Sequence, residues 1–148
     1  MKNKDTESPF FKTEIQVQWG EMDAAQHVNN VNYLRWAETA RIGFFEKLNV
    51  LDLDFKILGI ILAWQDCKYI FPIKFPDTAI LTYDITSVFN DRIHGECKIY
   101  SKTNNKIAAI SKSTVMAYDY NKLAKAEIPT EWKEQIISVY GKQIIDLG

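Results

Sequence analysis

At 148 residues the chain suits one domain, spanning residues 1–148, with a real hydrophobic core. Its 47% hydrophobic and 25% charged residues exclude the disordered class, and a net charge of −1 gives non-specific nucleic-acid binding no electrostatic support. No apolar run approaches the ~18 residues of a membrane span. MKNKDTESPFF also lacks an apolar signal core, so a cytoplasmic protein with no nucleic-acid or membrane partner is expected.

Residues 1–8 are polar and expected to fray. In FFKTEIQVQW (10–19), Ile15, Val17 and Trp19 alternate with polar residues, which is the period of a strand with one buried face. GEMDAAQ (20–26) reads as a loop. From about Asn29 to Leu48 the period becomes helical. Val31, Leu34, Ala37, Ile42, Phe44, Phe45 and Leu48 share one broad arc, the expected buried face. Trp36 falls opposite and is expected to be exposed in an isolated protomer, packing on another subunit or on the C-terminal segment. Glu38 and Arg41 lie inside the arc at a spacing that lets them meet, so a partly buried ion pair is expected there; a catalytic Glu38 is the lesser reading.

ILGIILAWQDCKYIFPI (57–73) reads as one long strand bent at Gly59, broken by Pro72 and Pro76. AILTYDITSVF (79–89), RIHGECKIYS (92–101) and KIAAISKSTVMAYD (106–119) follow as strands joined by tight connections. TEWKEQIISVYG, behind Pro129, reads as a short helix stopped by Gly141. Cys67 and Cys97 lie in strand-like runs without metal-ligand spacing, so small core hydrophobes are expected rather than a disulfide or a metal site. The order is strand, long helix, four-strand meander, short helix. An antiparallel sheet of this kind needs a cover on one face, and the central helix is the only element large enough. The class is therefore α+β.

DAAQHVNN (23–30) stands at the doorstep of that helix. A helix N-terminus carries unpaired N–H groups and partial positive charge, which favour negative charge developing on an oxygen. Asn29 or Asn30 must cap the helix. Taken singly, Asp23 reads as a turn former and His27 as a loop histidine. Together, an acid, a histidine and a helix N-terminus within eight residues supply a base or nucleophile beside an oxyanion stabiliser. No Gly-x-Ser-x-Gly elbow and no His-Glu-x-x-His motif is present, so the Asp23 carboxylate is the reactive candidate.

VQWGEMDAAQHVNNVNYLRWAETARIGFF closely resembles the start of the hotdog-fold acyl-CoA thioesterases of the 4-hydroxybenzoyl-CoA thioesterase type. The resemblance continues through YIFPIKFPDTAILTYDITSV, with its Pro72-to-Asp77 turn, and VMAYDYNKLAKAEIP. It implies a five- or six-stranded antiparallel sheet wrapped around the long helix. It also implies a homodimer or dimer of dimers with sites at the subunit interface, and hydrolysis of an acyl-CoA substrate without a cofactor. Matched by position, Asp23 falls on the family's catalytic aspartate and Asn30 on the residue whose backbone N–H polarises the thioester carbonyl. His27 matches a positioning or pocket residue. Asn29 and Tyr33 flank the substrate site, and Gly59 matches a glycine contributed by the partner subunit. Gln26 stands where glycine is common and Glu21 where aspartate is commoner; Gln26 is placed to narrow the pocket entrance or to hydrogen-bond the substrate. Arg92, Lys102, Lys106 and Lys112 are candidates for coenzyme A phosphates, whereas His94 is expected to be solvated. An acyl-carrier-protein thioesterase and a non-catalytic acyl-CoA-binding module are the alternatives. A dehydratase is disfavoured, because no His-x-x-x-Gly with a following Pro-Gly occurs.

Overall fold

The computed structural model describes residues 9–50 and 58–146. The polar stretch 1–8 and the expected start of the second strand at Ile57 lie outside the described residues. Strand β1 (Lys12–Gln16) leads through one turn of 3-10 helix (Trp19–Glu21) to the long helix α1 (Asn30–Lys47). Strands β2 (Leu58–Gln65), β3 (Lys68–Tyr69), β4 (Thr78–Val88), β5 (Arg92–Ser101), β6 (Lys106–Asp119) and β7 (Ala124–Ala126) follow, then helix α2 (Thr130–Tyr140). The strands form one antiparallel sheet in the order β1-β4-β5-β6-β2, with β3 and β7 also pairing β6. The sheet has seven strands rather than five or six, because two short strands add to the five long ones.

Alternation along the strands sets the core. Leu81, Tyr83 and Ile85 of β4 and Ile93, Cys97 and Ile99 of β5 are buried, as are Ala109, Val115 and Ala117 of β6. Registers such as Tyr83↔Cys97 and Ile99↔Ala109 put them on one face, and α1 packs across β4, β5 and β6 on it. Phe44 and Phe45 sit 5.0 and 5.9 Å from the Tyr83 ring. Burying an aromatic side chain contributes about 1.5–3 kcal/mol, so this trio anchors helix to sheet. A Cβ on Gly95 would collide with the Tyr83 hydroxyl, which is why that β5 position carries none. Helix α2 buries Ile136, and its Tyr140 hydroxyl donates to Asp84 Oδ1 at 2.8 Å while accepting from Ile85 N at 3.2 Å.

Several expectations are corrected. The buried stripe of α1 runs through Tyr33, Trp36, Ala37, Ala40, Arg41, Phe44 and Phe45. It is rotated from the expected arc, and Val31 (56% exposed) and Ile42 (42%) lie outside it. Trp36 is buried within the protomer, its ring 5.3 Å from Tyr33. The curled sheet decides which side is covered, and a phenol and an arginine lie on that side. Arg41 is buried beside Tyr83 and Cys97, while Glu38 is exposed; no ion pair joins them among the described residues. Trp19 leaves β1 for the 3-10 turn and is exposed. The run expected as one strand over 57–73 breaks into β2 and β3, with a bulge between Leu62 and Trp64. Cys67 and Cys97 are both free thiols; burial pushes Cys97 up to about 12, as suits a core hydrophobe.

Candidate active site

The chain reaches the site through a locked loop. Gln18 N donates to Glu21 Oε1 at 2.7 Å, closing the 3-10 turn and placing the Glu21 carboxylate in a structural role. Met22 and Val28 then pair as an isolated bridge. Gln26 N donates to Asp23 O at 2.9 Å and Asp23 N to His27 O at 3.0 Å. These bonds describe a tight turn followed by a residue in the left-handed region, and Gln26 occupies it with φ 61°. Glycine suits that conformation best, which explains the residue common at this place. The Gln26 side chain is exposed and does not line the cleft described next.

Asp23 occupies the first position of the turn, and its Oδ1 accepts from Ala25 N at 2.9 Å. Oδ2 takes no hydrogen bond among the described residues, so half of the carboxylate is committed and half is open to a ligand. Asn29 is the cap of α1: its Oδ1 accepts from Val31 N at 3.1 Å. The Glu21 carbonyl accepts from Asn29 N at 2.9 Å and Asn32 Nδ2 at 3.1 Å, tying the loop to the first turn. Asn30 is the first helical residue, and its N–H reaches no acceptor among the described residues, as expected of a helix start.

The opposite wall is the segment leaving β3. Ile70 N and Phe71 N both donate to Ala108 O, at 2.8 and 3.0 Å. Two phenols bind this wall to the helix. Tyr33 reaches out from α1 to accept from Ile73 N at 3.0 Å, and Tyr69 reaches back to donate to Asn30 O at 3.2 Å. Their rings meet edge to face at 5.3 Å. Burial raises both phenols, Tyr69 to about 12 with the Cys67 thiol beside it, so both stay neutral at working pH.

Between the walls lies a cleft of about 310 Å3. Asp23, His27, Asn30 and Tyr33 line it, together with Tyr69 and Phe71. Four residues singled out in the sequence thus share one hollow, and Tyr69 joins them. Its contact is with a residue 39 positions away, and nothing in the apolar run around it signals that. Asn29 sits under the site as the cap rather than in its lining.

Gly59 and Arg92 lie at the far end of the sheet, in register with Tyr118 and Met116 of β6, whereas Tyr69 pairs Ala109. Arg92 is seven residues along β5 from Ile99, the level of the cleft, which is roughly 23 Å at ~3.3 Å per residue. It ion-pairs with Asp91 at 2.9 Å. Lys102 pairs with Glu14 at 3.4 Å. Lys106 stands by the cleft, its Nζ 5.1 Å from the centre of the Phe71 ring. Lys112 and His94 line a separate hollow of about 310 Å3 with Trp64 and Glu96. His94 is half-buried there, 4.8 Å from the Phe89 ring, rather than fully solvated. Among the described residues no three His, Cys, Asp or Glu side chains group to hold a metal ion, and no helix is long and apolar enough to cross a membrane.

Comparison with known proteins bears on the fold and the family. The comparison with curated proteins found no match. Among solved structures, Slr0204, a 1,4-dihydroxy-2-naphthoyl-CoA thioesterase from Synechocystis, superposes with a TM-score of 0.77 at 16% identity, over 88% of this chain and 97% of that one. The DHNA-CoA thioesterase from Staphylococcus aureus gives 0.76 at 16% identity, over 92% and 97%. BH1999 gentisyl-coenzyme A thioesterase gives 0.75 at 21% identity, over 83% and 99%. These likenesses establish the hotdog fold, a long helix wrapped by an antiparallel sheet. The family model of the Thioesterase-like superfamily matches residues 17–136, most of the chain and all of the cleft, and the protein belongs to that superfamily.

Proposed function

We propose that the protein hydrolyses an acyl-CoA thioester to the free acid and coenzyme A. The observation that carries this reading is the cleft itself, where a half-committed carboxylate and the free N–H of a helix start line one hollow. A thioester carbonyl is electrophilic because sulfur donates poorly into it. As water or a carboxylate adds, charge develops on the carbonyl oxygen, and the Asn30 N–H at the positive end of α1 stabilises it. Such a donor contributes roughly 3 kcal/mol to the barrier when well placed. Asp23 acts as general base, taking a proton from water while hydroxide adds to the carbonyl carbon, or as nucleophile, giving an anhydride that water then opens. In either route the C–S bond breaks and the thiolate leaves to collect a proton from solvent. Coenzyme A is supported over a carrier protein by the CoA thioesters named for the similar structures.

The shared-site expectation extends to a dimer. β2 is the last strand of the sheet order and carries exposed Leu62 and Trp64, a pattern that invites pairing with a second chain. A two-fold pairing along β2 runs the strands antiparallel, so the Gly59 end of one lies beside the Gln65 end of the other, nearer the partner's cleft. Thiol release from a panel of acyl-CoA esters tests the function, and sedimentation at micromolar protein tests the dimer. Release above the uncatalysed rate for at least one ester supports hydrolysis. Binding without release on every ester favours a non-catalytic module, and an active monomer contradicts the shared site.

A further inference from the structure

Among the described residues, the Tyr69 phenol is the side chain of the β3 wall that bonds the backbone of the site's first helical residue, while the Ile73 carbonyl accepts from Val28 N at 2.9 Å just before the cap. Asn30 O belongs to the first helical residue, and within the helix one of its lone pairs serves the helix ladder. Tyr69 takes the other at 3.2 Å. The Tyr69 ring rests edge-on against Tyr33, whose own hydroxyl is fixed by Ile73 N, so little freedom remains to the phenol. The main-chain bonds from Ile70 and Phe71 to Ala108 hold the strand end that carries Tyr69 against β6. The first turn of α1 is thereby pinned from two directions. The loop holds it through the Glu21 carbonyl, and the wall holds it through the Tyr33 hydroxyl on Ile73 N and through Tyr69, which alone of the two reaches the Asn30 backbone.

We propose that Tyr69 is a positioning residue that sets where the Asn30 N–H stands in the cleft. It acts through the helix backbone rather than on the reacting atoms, and its importance for turnover rests on the functional reading above. A donor aimed at an oxyanion loses its value when it shifts by about 1 Å, because the transition state tolerates misplacement poorly. Tyr69 is 45% exposed, so removing its hydroxyl leaves the core intact.

The test is Tyr69→Phe, which keeps the ring against Tyr33 and deletes the bond to Asn30 O along with the hydroxyl's contact to the Cys67 thiol, for which Cys67→Ala, leaving the Asn30 bond in place, is the control and should keep wild-type kcat. Thiol release from the best acyl-CoA ester should show kcat about five- to tenfold lower, with KM within about twofold and the melting temperature unchanged. In a 1H–15N spectrum of the same variant, the Asn30 amide and its neighbours in the first turn should shift while the β4 and β5 amides do not. Wild-type kcat, an effect carried by KM alone, or an unmoved Asn30 amide would each overturn the proposal. Asp23→Asn, assayed alongside, separates the two readings. An inactive Asp23→Asn with a wild-type Tyr69→Phe removes Tyr69 and leaves the hydrolase reading. An active Asp23→Asn with an impaired Tyr69→Phe and a shifted Asn30 amide removes Asp23 from the mechanism and supports the helix-start role of Tyr69.

Discussion

Asp23 and Asp77 are both turn aspartates, and their carboxylates are used in opposite ways. Asp77 is 7% exposed. Its Oδ1 accepts from Thr78 N at 2.7 Å and Thr103 N at 3.0 Å, and its Oδ2 from the Ser101 hydroxyl at 2.5 Å. Ser101 in turn accepts from Asn104 N and Nδ2 at 3.2 and 2.9 Å. The knot joins the turn before β4 to the β5–β6 hairpin, and both carboxylate oxygens are engaged in it. Asp23 spends one oxygen on its turn and leaves the other in a cleft beside a helix start. A carboxylate bonded through both oxygens serves the architecture; one with an unbonded oxygen in a hollow is available for chemistry. On the proposed reading of Asp23, bonding, more than residue type or position in a turn, separates the two.

The largest effect that would break this contrast is on stability. Asp77→Ala strands Ser101 and two backbone donors in a buried place, and should cost about 3 kcal/mol, lowering the melting temperature by roughly 6–12 °C for a chain of this size. Per folded molecule, kcat should stay near wild type. A calorimetric scan and a thiol-release assay on the same sample check both, and a large loss of kcat would blur the division.

The pH dependence sharpens it. Burial pushes the Asp77 carboxyl up, but the bonds from Ser101, Thr103 and Thr78 outweigh burial and hold it below the usual carboxylate value. The unfolded chain therefore binds the proton first as pH falls. The Asp77 contribution is complete above its unfolded pKa of about 3.9 and is lost as pH drops through the lower folded value. Melting temperature measured from pH 6 downward should fall in that window, and Asp77→Asn should flatten this part of the curve. An identical acid limb in the variant would show that other carboxylates carry it.

Smaller effects belong to the cleft rim. His27→Ala should lower kcat by about three- to tenfold through loss of positioning, well short of the loss expected from Asp23. Lys106, the basic candidate found beside the cleft, should matter for coenzyme binding. Exposed charges are screened over about 8 Å at physiological ionic strength, so salt should raise KM for acyl-CoA and leave a truncated acyl-pantetheine thioester nearly unaffected. Lys106→Ala should reduce that difference, and equal salt sensitivity of both substrates would remove phosphate recognition by this side chain.

Much of this architecture is legible in the sequence. The helical period over 29–48 and the alternation over 79–89, 92–101 and 106–119 place α1, β4, β5 and β6 within a residue or two of their bounds, because periodicity reports a face buried along a whole element. The 57–73 run was not divisible in the same way. A continuous apolar stretch carries no mark of where its ladder ends, and the break after Gln65 is set by Asp66, whose N–H and Oδ1 bond the Lys112 backbone across the sheet. The buried side of α1 depends on how the sheet curls, which the helix sequence does not record. The loop-to-helix half of the site is legible because its residues are contiguous. The Tyr69 wall is not, since a hydrogen bond across 39 residues leaves no local pattern.

The most direct measurement is turnover of Asp23→Asn at saturating acyl-CoA, with its melting temperature taken on the same preparation. Asparagine keeps the size, the turn preference and an oxygen for the bond from Ala25 N, and replaces the free, charged oxygen with a neutral NH2 that can act neither as base nor as nucleophile. A fall in kcat of at least ~100-fold with an unchanged melting temperature is the expected result. Near-wild-type turnover would contradict a chemical role for Asp23 and make Glu38 the next carboxylate to test.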